Sequence, residues 1–159
     1  MAYASLELLK ATLQKSDKTD DLALQLALDA ATAAIDAFCK RPDGFVASAA
    51  SPRYYVGSGK AWQMIDECIA ISAVEVKDPV NDDDYTAWAA TDYSPAAGGP
   101  TTPDFSRTPY TILFVAPNGD YPVFTSGVLG QMKAQTVKVT GKWGYAATCP
   151  EQIKMACLM

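Results

Sequence analysis

Residues 20–41 read DDLALQLALDAATAAIDAFCKR, and this stretch sets the expected architecture. Asp20 or Thr19 offers an N-cap, and carboxylates are favourable beside the positive helix end, so a helix is predicted from about Asp21 to Cys39. Two apolar stripes run along it, Leu24, Leu28, Ala31, Ile35 and Phe38 on one side and Leu22, Leu26, Ala30, Ala33 and Ala37 on the other. So much apolar circumference predicts packing on two sides. A central helix inside a monomer meets that demand, and so does a helix that gives its alanine-rich side to a neighbouring subunit, because small residues permit close approach in both cases. Lys40 and Arg41 suit the negative helix end, and Pro42-Asp43-Gly44 is the expected stop.

Toward the N-terminus, Ser5 caps a short predicted helix in which Leu6, Leu9 and Leu13 recur at spacings of three and four, and Lys15 to Thr19 is a polar connector. Toward the C-terminus the period changes. Strand-like runs follow at Arg53–Val56, Ala61–Ile65, Ile71–Lys77, Tyr85–Trp88, Thr111–Val115 and Gln135–Thr140, several of them alternating as in Val74-Glu75-Val76-Lys77. Turns are expected at Gly57-Ser58-Gly59, Asn81 to Asp84 and Pro117 to Asp120. Four prolines and the pair Gly98-Gly99 make 95–109 a long exposed loop. Pro150 then opens a last helix with Ile153, Ala156 and Cys157 on its apolar side. The reading is one α+β domain over 1–159. Its helical pair (1–46) and C-terminal helix (149–159) pack together, and an antiparallel β region of short strands (47–148) is inserted between them.

Composition bounds the function. A chain of 159 residues with 49% apolar side chains can build a core without a metal or a disulfide. It has neither a run long enough to span a membrane nor a signal-peptide pattern, which predicts a soluble product of the cytosol. With no histidine, Ser-His-Asp and Cys-His mechanisms and imidazole-dependent zinc sites are excluded. Cys39, Cys68, Cys149 and Cys157 form no C-x-x-C pair and read as reduced thiols. The net charge of −5 divides into −2 over residues 1–46, −6 over 47–127 and +3 over 128–159. An acidic chain without a basic stripe is poorly suited to grip nucleic acid, though it can surround DNA without holding it.

The chemical motifs are incomplete. Gly57-Ser58-Gly59-Lys60 has the end of a phosphate-binding loop, but Tyr54 and Ala61 stand where a glycine and a hydroxyl are needed, so it reads as a tight hairpin turn. Asn81-Asp82-Asp83-Asp84 lacks the spacing of a calcium loop and reads as a solvated turn. Asp66, Glu67, Asp78 and Asp92 are candidates for a carboxylate pair, and Trp62, Trp88 and Trp143 for a stacking platform. Together they define an alternative reading: a small β-rich carbohydrate-binding or hydrolysing domain. No cofactor and no metal is expected.

The order of these features, with several short motifs, resembles the head-to-tail connector (adaptor, head-completion) proteins of long-tailed bacteriophages. The motifs are Ser5-Leu6-Glu7-Leu8-Leu9-Lys10, Asp20-Asp21-Leu22 with the alanine-rich helix ending in Phe38-Cys39-Lys40-Arg41, Arg53-Tyr54-Tyr55-Val56-Gly57-Ser58-Gly59, and Ile71-Ser72-Ala73-Val74-Glu75-Val76. The series closes with Val137-Lys138-Val139-Thr140-Gly141-Lys142-Trp143-Gly144-Tyr145 before Pro150, Ile153 and Ala156. The resemblance implies a non-enzymatic virion protein of the neck, assembled in the host cytoplasm as a homo-oligomeric, typically dodecameric, ring beneath the portal. The ring extends the DNA channel and joins head to tail. Its partners would be further copies, the portal protein and a downstream stopper or tail-terminator protein, with genomic double-stranded DNA passing through unbound and no membrane involved. On this reading Leu22, Leu26, Ala30, Ala33 and Ala37 form the subunit interface, Ile153, Lys154 and Ala156 face the portal, and Asp82, Asp83 and Asp84 line a negative channel wall.

Overall fold

The computed structural model describes residues 2–41, 43–79 and 83–159, which fall into two compact units. One comprises the chain up to Val46 together with the segment from Ala146, and the other spans Ala47–Tyr145.

The first unit is helical. Helix α1 (Leu6–Thr12) starts where the Ser5 hydroxyl accepts the Leu8 N–H at 3.2 Å, and α2 (Asp21–Phe38) is tied to it by Lys10 and Asp21 at 2.5 Å. Both helices end in the same way. Gln14 and Lys40 adopt φ of +54°, and the N–H of the next residue, Lys15 or Arg41, reaches back to Lys10 O or Asp36 O. This is a Schellman closure built without glycine. Near the chain's end lies α3 (Glu151–Leu158), and Tyr3, Ala4, Leu9, Leu28, Phe45 and Cys157 make the buried core, with Leu24, Ala31, Ile35 and Ile153 half-buried around it. Val46 and Ala146 form a parallel bridge, where the chain leaves and re-enters this unit.

The second unit is a sheet. Its strands are β1 (Ser51–Val56), β2 (Trp62–Val76), β3 (Thr86–Ala87), β4 (Tyr93–Gly99), β5 (Thr102–Asp104), β6 (Tyr110–Val115) and β9 (Gln135–Trp143), while β7 (Val128–Leu129) and β8 (Met132–Lys133) form a separate hairpin. The seven-stranded antiparallel sheet has the order β1-β9-β2-β6-β4-β5, with β3 beside β2. Its core holds Ile65, Cys68, Val74, Val76, Leu113, Phe124, Val137, Val139 and Trp143, and Trp88 is stacked on Tyr121 and Phe124 with centroids at 4.4 and 4.8 Å.

The α+β expectation, a helical frame carrying an insert of short strands, is corrected here. Strand accounts for 35% of the chain and helix for 21%, so the sheet dominates and the three helices are the smaller part. The predicted runs Ala61–Ile65 and Ile71–Lys77 are one strand of 15 residues, which pairs with β6 at one end and β9 at the other. Bulges between Met64 and Cys68, Cys68 and Ala70, and Ile71 and Ala73 bend it between partners. At the bend, a Cβ on Gly141 would lie 2.6 Å from Cys68 Sγ and 2.7 Å from Ala70 O, so this position requires glycine.

The expected loop 95–109 is also corrected, because its first part forms the β4–β5 hairpin, with Ala97 opposite Asp104 and Gly99 opposite Thr102. Since β5 covers only Ala97–Gly99, β4 is a sheet edge along Tyr93–Ala96, where Pro95 removes no needed donor. The Gly57–Lys60 turn connects β1 to β2, but β9 lies between these strands, so it is a crossover turn and not a hairpin.

Candidate functional site

The candidate surface follows from how α2 divides its circumference. Leu28 and Thr32 are buried, Leu24, Ala31 and Ile35 are half-buried on the same side, and Thr32 Oγ1 donates to Leu28 O at 2.8 Å while accepting Tyr3 N–H at 3.2 Å. The opposite side is open. Leu22, Leu26, Ala30, Ala33 and Ala37 are all exposed and share one face, at 76% for Leu22 and 62% for Leu26. The structure therefore brings the five predicted interface residues together. Phe38, placed from sequence on the stripe of Leu24, Leu28, Ala31 and Ile35, is 89% exposed and belongs to the open face.

The C-terminal helix does not present its three predicted residues together. Ile153 turns into the helical core with Cys157, Lys154 is half-buried and ion-paired to Glu151 at 2.6 Å, and Ala156 is exposed. At about 100° per residue, Ile153 and Ala156 lie some 60° apart, and the core takes the side that Ile153 shares with Cys157. The proposed portal-facing trio is thus divided between core and surface.

Of the acidic cluster, Asp82 lies outside the described residues, and Asp83 and Asp84 are exposed in a bend before β3. The other carboxylates have structural partners. Asp92 is buried and accepts N–H groups from Ala89 at 2.9 Å and Asp120 at 3.1 Å, which ties the chain before β4 to the turn after β6. Asp66 receives Arg53 Nη1 at 2.8 Å and the Tyr55 hydroxyl at 2.9 Å, and burial chiefly pushes the Tyr55 phenol up from its ordinary value. Of the tryptophans, Trp88 and Trp143 are in the core, with Trp143 Nε1 donating to Ser51 O at 2.7 Å, and Trp62 carries the Lys60 ammonium 4.7 Å from its ring centroid. The exposed tryptophan platform that the carbohydrate reading needs is therefore not assembled from Trp88 and Trp143. Among the described residues no three His, Cys, Asp or Glu side chains are grouped to hold a metal ion. All four cysteines are free, and Cys39 is the exposed one.

A cavity of about 550 Å³ in the helical unit is lined by Tyr3, Thr32, Asp36, Asp43 and Cys149 among others. Its polar groups bond to one another: the Tyr3 hydroxyl donates to Asp36 and accepts the Phe45 N–H at 2.9 Å. Burial, then the Asp36 hydrogen bond, raises the Tyr3 phenol from 10.0 to about 12.

One exposed apolar feature was missed from sequence. The β7–β8 hairpin projects Val128, Leu129 and Met132 at 52%, 40% and 73% exposure, turning at Gly130 with φ of +62°. The Gly130-Gln131 turn between Val128-Leu129 and Met132 was its available signal. No family model, curated protein or solved structure matches the chain.

Proposed function

We propose that this chain is a structural virion protein: a head-to-tail connector subunit that assembles with copies of itself into a ring, of twelve by the resemblance, beneath the portal of a long-tailed phage. It joins head to tail and extends the channel, and the genome passes without specific contacts. It has no catalytic role and uses no cofactor. The supporting observation is the open face of α2, where Leu22, Leu26 and Phe38 stand in solvent although the helix already has a core on its other side. Large apolar side chains grouped on one exposed face mark a surface for another protein. The net charge of −5 suits a wall past which DNA slides, because few counterion-releasing phosphate contacts can form.

The test is co-expression with a portal protein of the same phage, followed by light scattering on a sizing column and imaging of intact particles. A portal-bound ring adding about 200 kDa, twelve copies of 17.0 kDa, and density at the neck are expected. A chain that stays monomeric with the portal present, or that labels another part of the particle, overturns the reading.

A further inference from the structure

The turn after β6 holds a pair of residues whose chemistry the functional reading leaves unused. Asn118 is exposed, and Gly119 follows it. The Gly119 N–H donates to Ala116 O at 3.0 Å and closes the turn around Pro117 and Asn118. Asp92 grips both flanks of the turn. Its carbonyl oxygen accepts the Ala116 N–H at 2.8 Å, and its Oδ1 accepts the Asp120 N–H at 3.1 Å. Between these two anchors the chain lies so close that a Cβ on Gly119 would stand 2.9 Å from Asp92 Cα. Packing therefore demands glycine at 119, and glycine leaves the backbone nitrogen beside Asn118 without a side chain to shield it.

We propose that Asn118 is a site of spontaneous covalent modification whose product releases the turn from Asp92. The backbone nitrogen of Gly119 attacks Asn118 Cγ. An N–Cγ bond forms, the Cγ–Nδ2 bond breaks, and the proton of the attacking nitrogen leaves with the amide group as ammonia. Water then opens the cyclic imide at either carbonyl, giving aspartate or isoaspartate. No electrons change hands, and water is the co-reactant. The fold sets the rate. Attack needs the nitrogen freed from Ala116 O and the chain rotated about Asn118, which lifts Gly119 from Asp92, so the reaction proceeds from a locally opened turn. Isoaspartate carries the main chain through Cβ and lengthens it by one bond, about 1.5 Å. A turn held at both flanks by one residue has no slack for that bond. The Asp120 N–H then leaves Asp92 Oδ1, and the chain runs on directly into Tyr121, whose ring stacks on Trp88 at 4.4 Å. The inference goes beyond the virion reading and does not rest on it.

Incubation of the folded full chain in warm, mildly alkaline buffer tests it, read by tryptic mass spectrometry and by enzymatic methylation of isoaspartate. Asn118 and Asn81, the two asparagines of the chain, fall on separate tryptic peptides, 108–133 and 78–107. The 108–133 peptide should gain the mass of an NH2-for-OH exchange and become a methyl acceptor, at least about tenfold more slowly than in the chain unfolded by guanidinium. Asn118→Gln should remove both signals. In the isoaspartyl form, isolated by chromatography, hydrogen exchange at the Asp120 amide should quicken at least about tenfold. It should stay at the parent rate in Asn118→Asp, which adds the charge without the extra bond. A folded chain that stays unmodified while the unfolded one converts overturns the inference. Equal rates in the two overturn it as well, because the fold then has no hold on the nitrogen. So does Asp120 exchange that isoaspartate leaves unchanged, or that Asn118→Asp quickens as much. None of these outcomes depends on a portal, so failure here and failure of the ring assay are separate results.

Discussion

The Tyr3 hydroxyl bridges Asp36 of α2 and the backbone N–H of Phe45, and so ties the first residues of the chain to the segment that leads into the sheet. Burial and the neighbouring carboxylate both favour the neutral phenol, which holds its proton to about pH 12 when folded. The unfolded chain releases that proton near its ordinary pKa of about 10. Stability from this group is therefore complete below pH 10 and declines as the pH rises toward 12. Tyr3→Phe should cost about 1–2 kcal/mol at neutral pH. It should also flatten the alkaline fall relative to the parent, as read by urea unfolding at several pH values.

Gly141 faces the bend of β2, and a methyl group there meets the backbone oxygen of Ala70 as well as the Cys68 thiol. Backbone cannot rotate away as a flexible side chain can. Gly141→Ala should lower stability by about 2–3 kcal/mol in thermal unfolding, through strain in the β2–β9 pairing.

Gln14 closes α1 at φ +54° with an exposed side chain. The left-handed conformation costs a non-glycine residue roughly 1–2 kcal/mol, and glycine gives back part of that through its freer unfolded chain. Gln14→Gly should raise stability by about 0.5–1 kcal/mol, measured by denaturant midpoint with an unchanged slope.

Ala33 lies on the open face of α2. Ala33→Glu should leave the melting transition of the isolated protein within about 0.5 kcal/mol of the parent, because the side chain is exposed. Association through α2 should be lost, as a charge would enter the contact. A variant that associates like the parent in sedimentation removes this face from the interface.

Helix α2 was legible almost to the residue because two signals agreed, a sustained 3.6-residue period and carboxylates at its start. Its end, expected at about Cys39, falls at Phe38 with Cys39 as the cap, but the means of closure was not legible: Lys40 takes the left-handed position usually held by glycine, and side-chain identity carries no trace of that. Strand β2 was split for a different reason. Its buried residues fall at odd positions before the first bulge (Gln63, Ile65) and at even positions after it (Cys68, Val74, Val76), so the alternation breaks in the middle of a continuous strand. The β4–β5 hairpin was hidden by prolines and glycines that an edge strand tolerates and an interior one does not. The candidate interface was the most legible part, since five of its residues were named by spacing alone. Only the packing of the helix decides which stripe is inside, and Phe38, at the margin between the two, went to solvent.

The bridge between Val46 and Ala146 has a consequence for how such a chain can be rebuilt. Bridged strand residues sit about 5 Å apart, so the whole of 47–145 departs from and returns to the helices through a single doorway. Excising that span and joining its edges with two or three glycines leaves the helical scaffold its original closure distance, and a different cargo domain with neighbouring termini fits the same doorway.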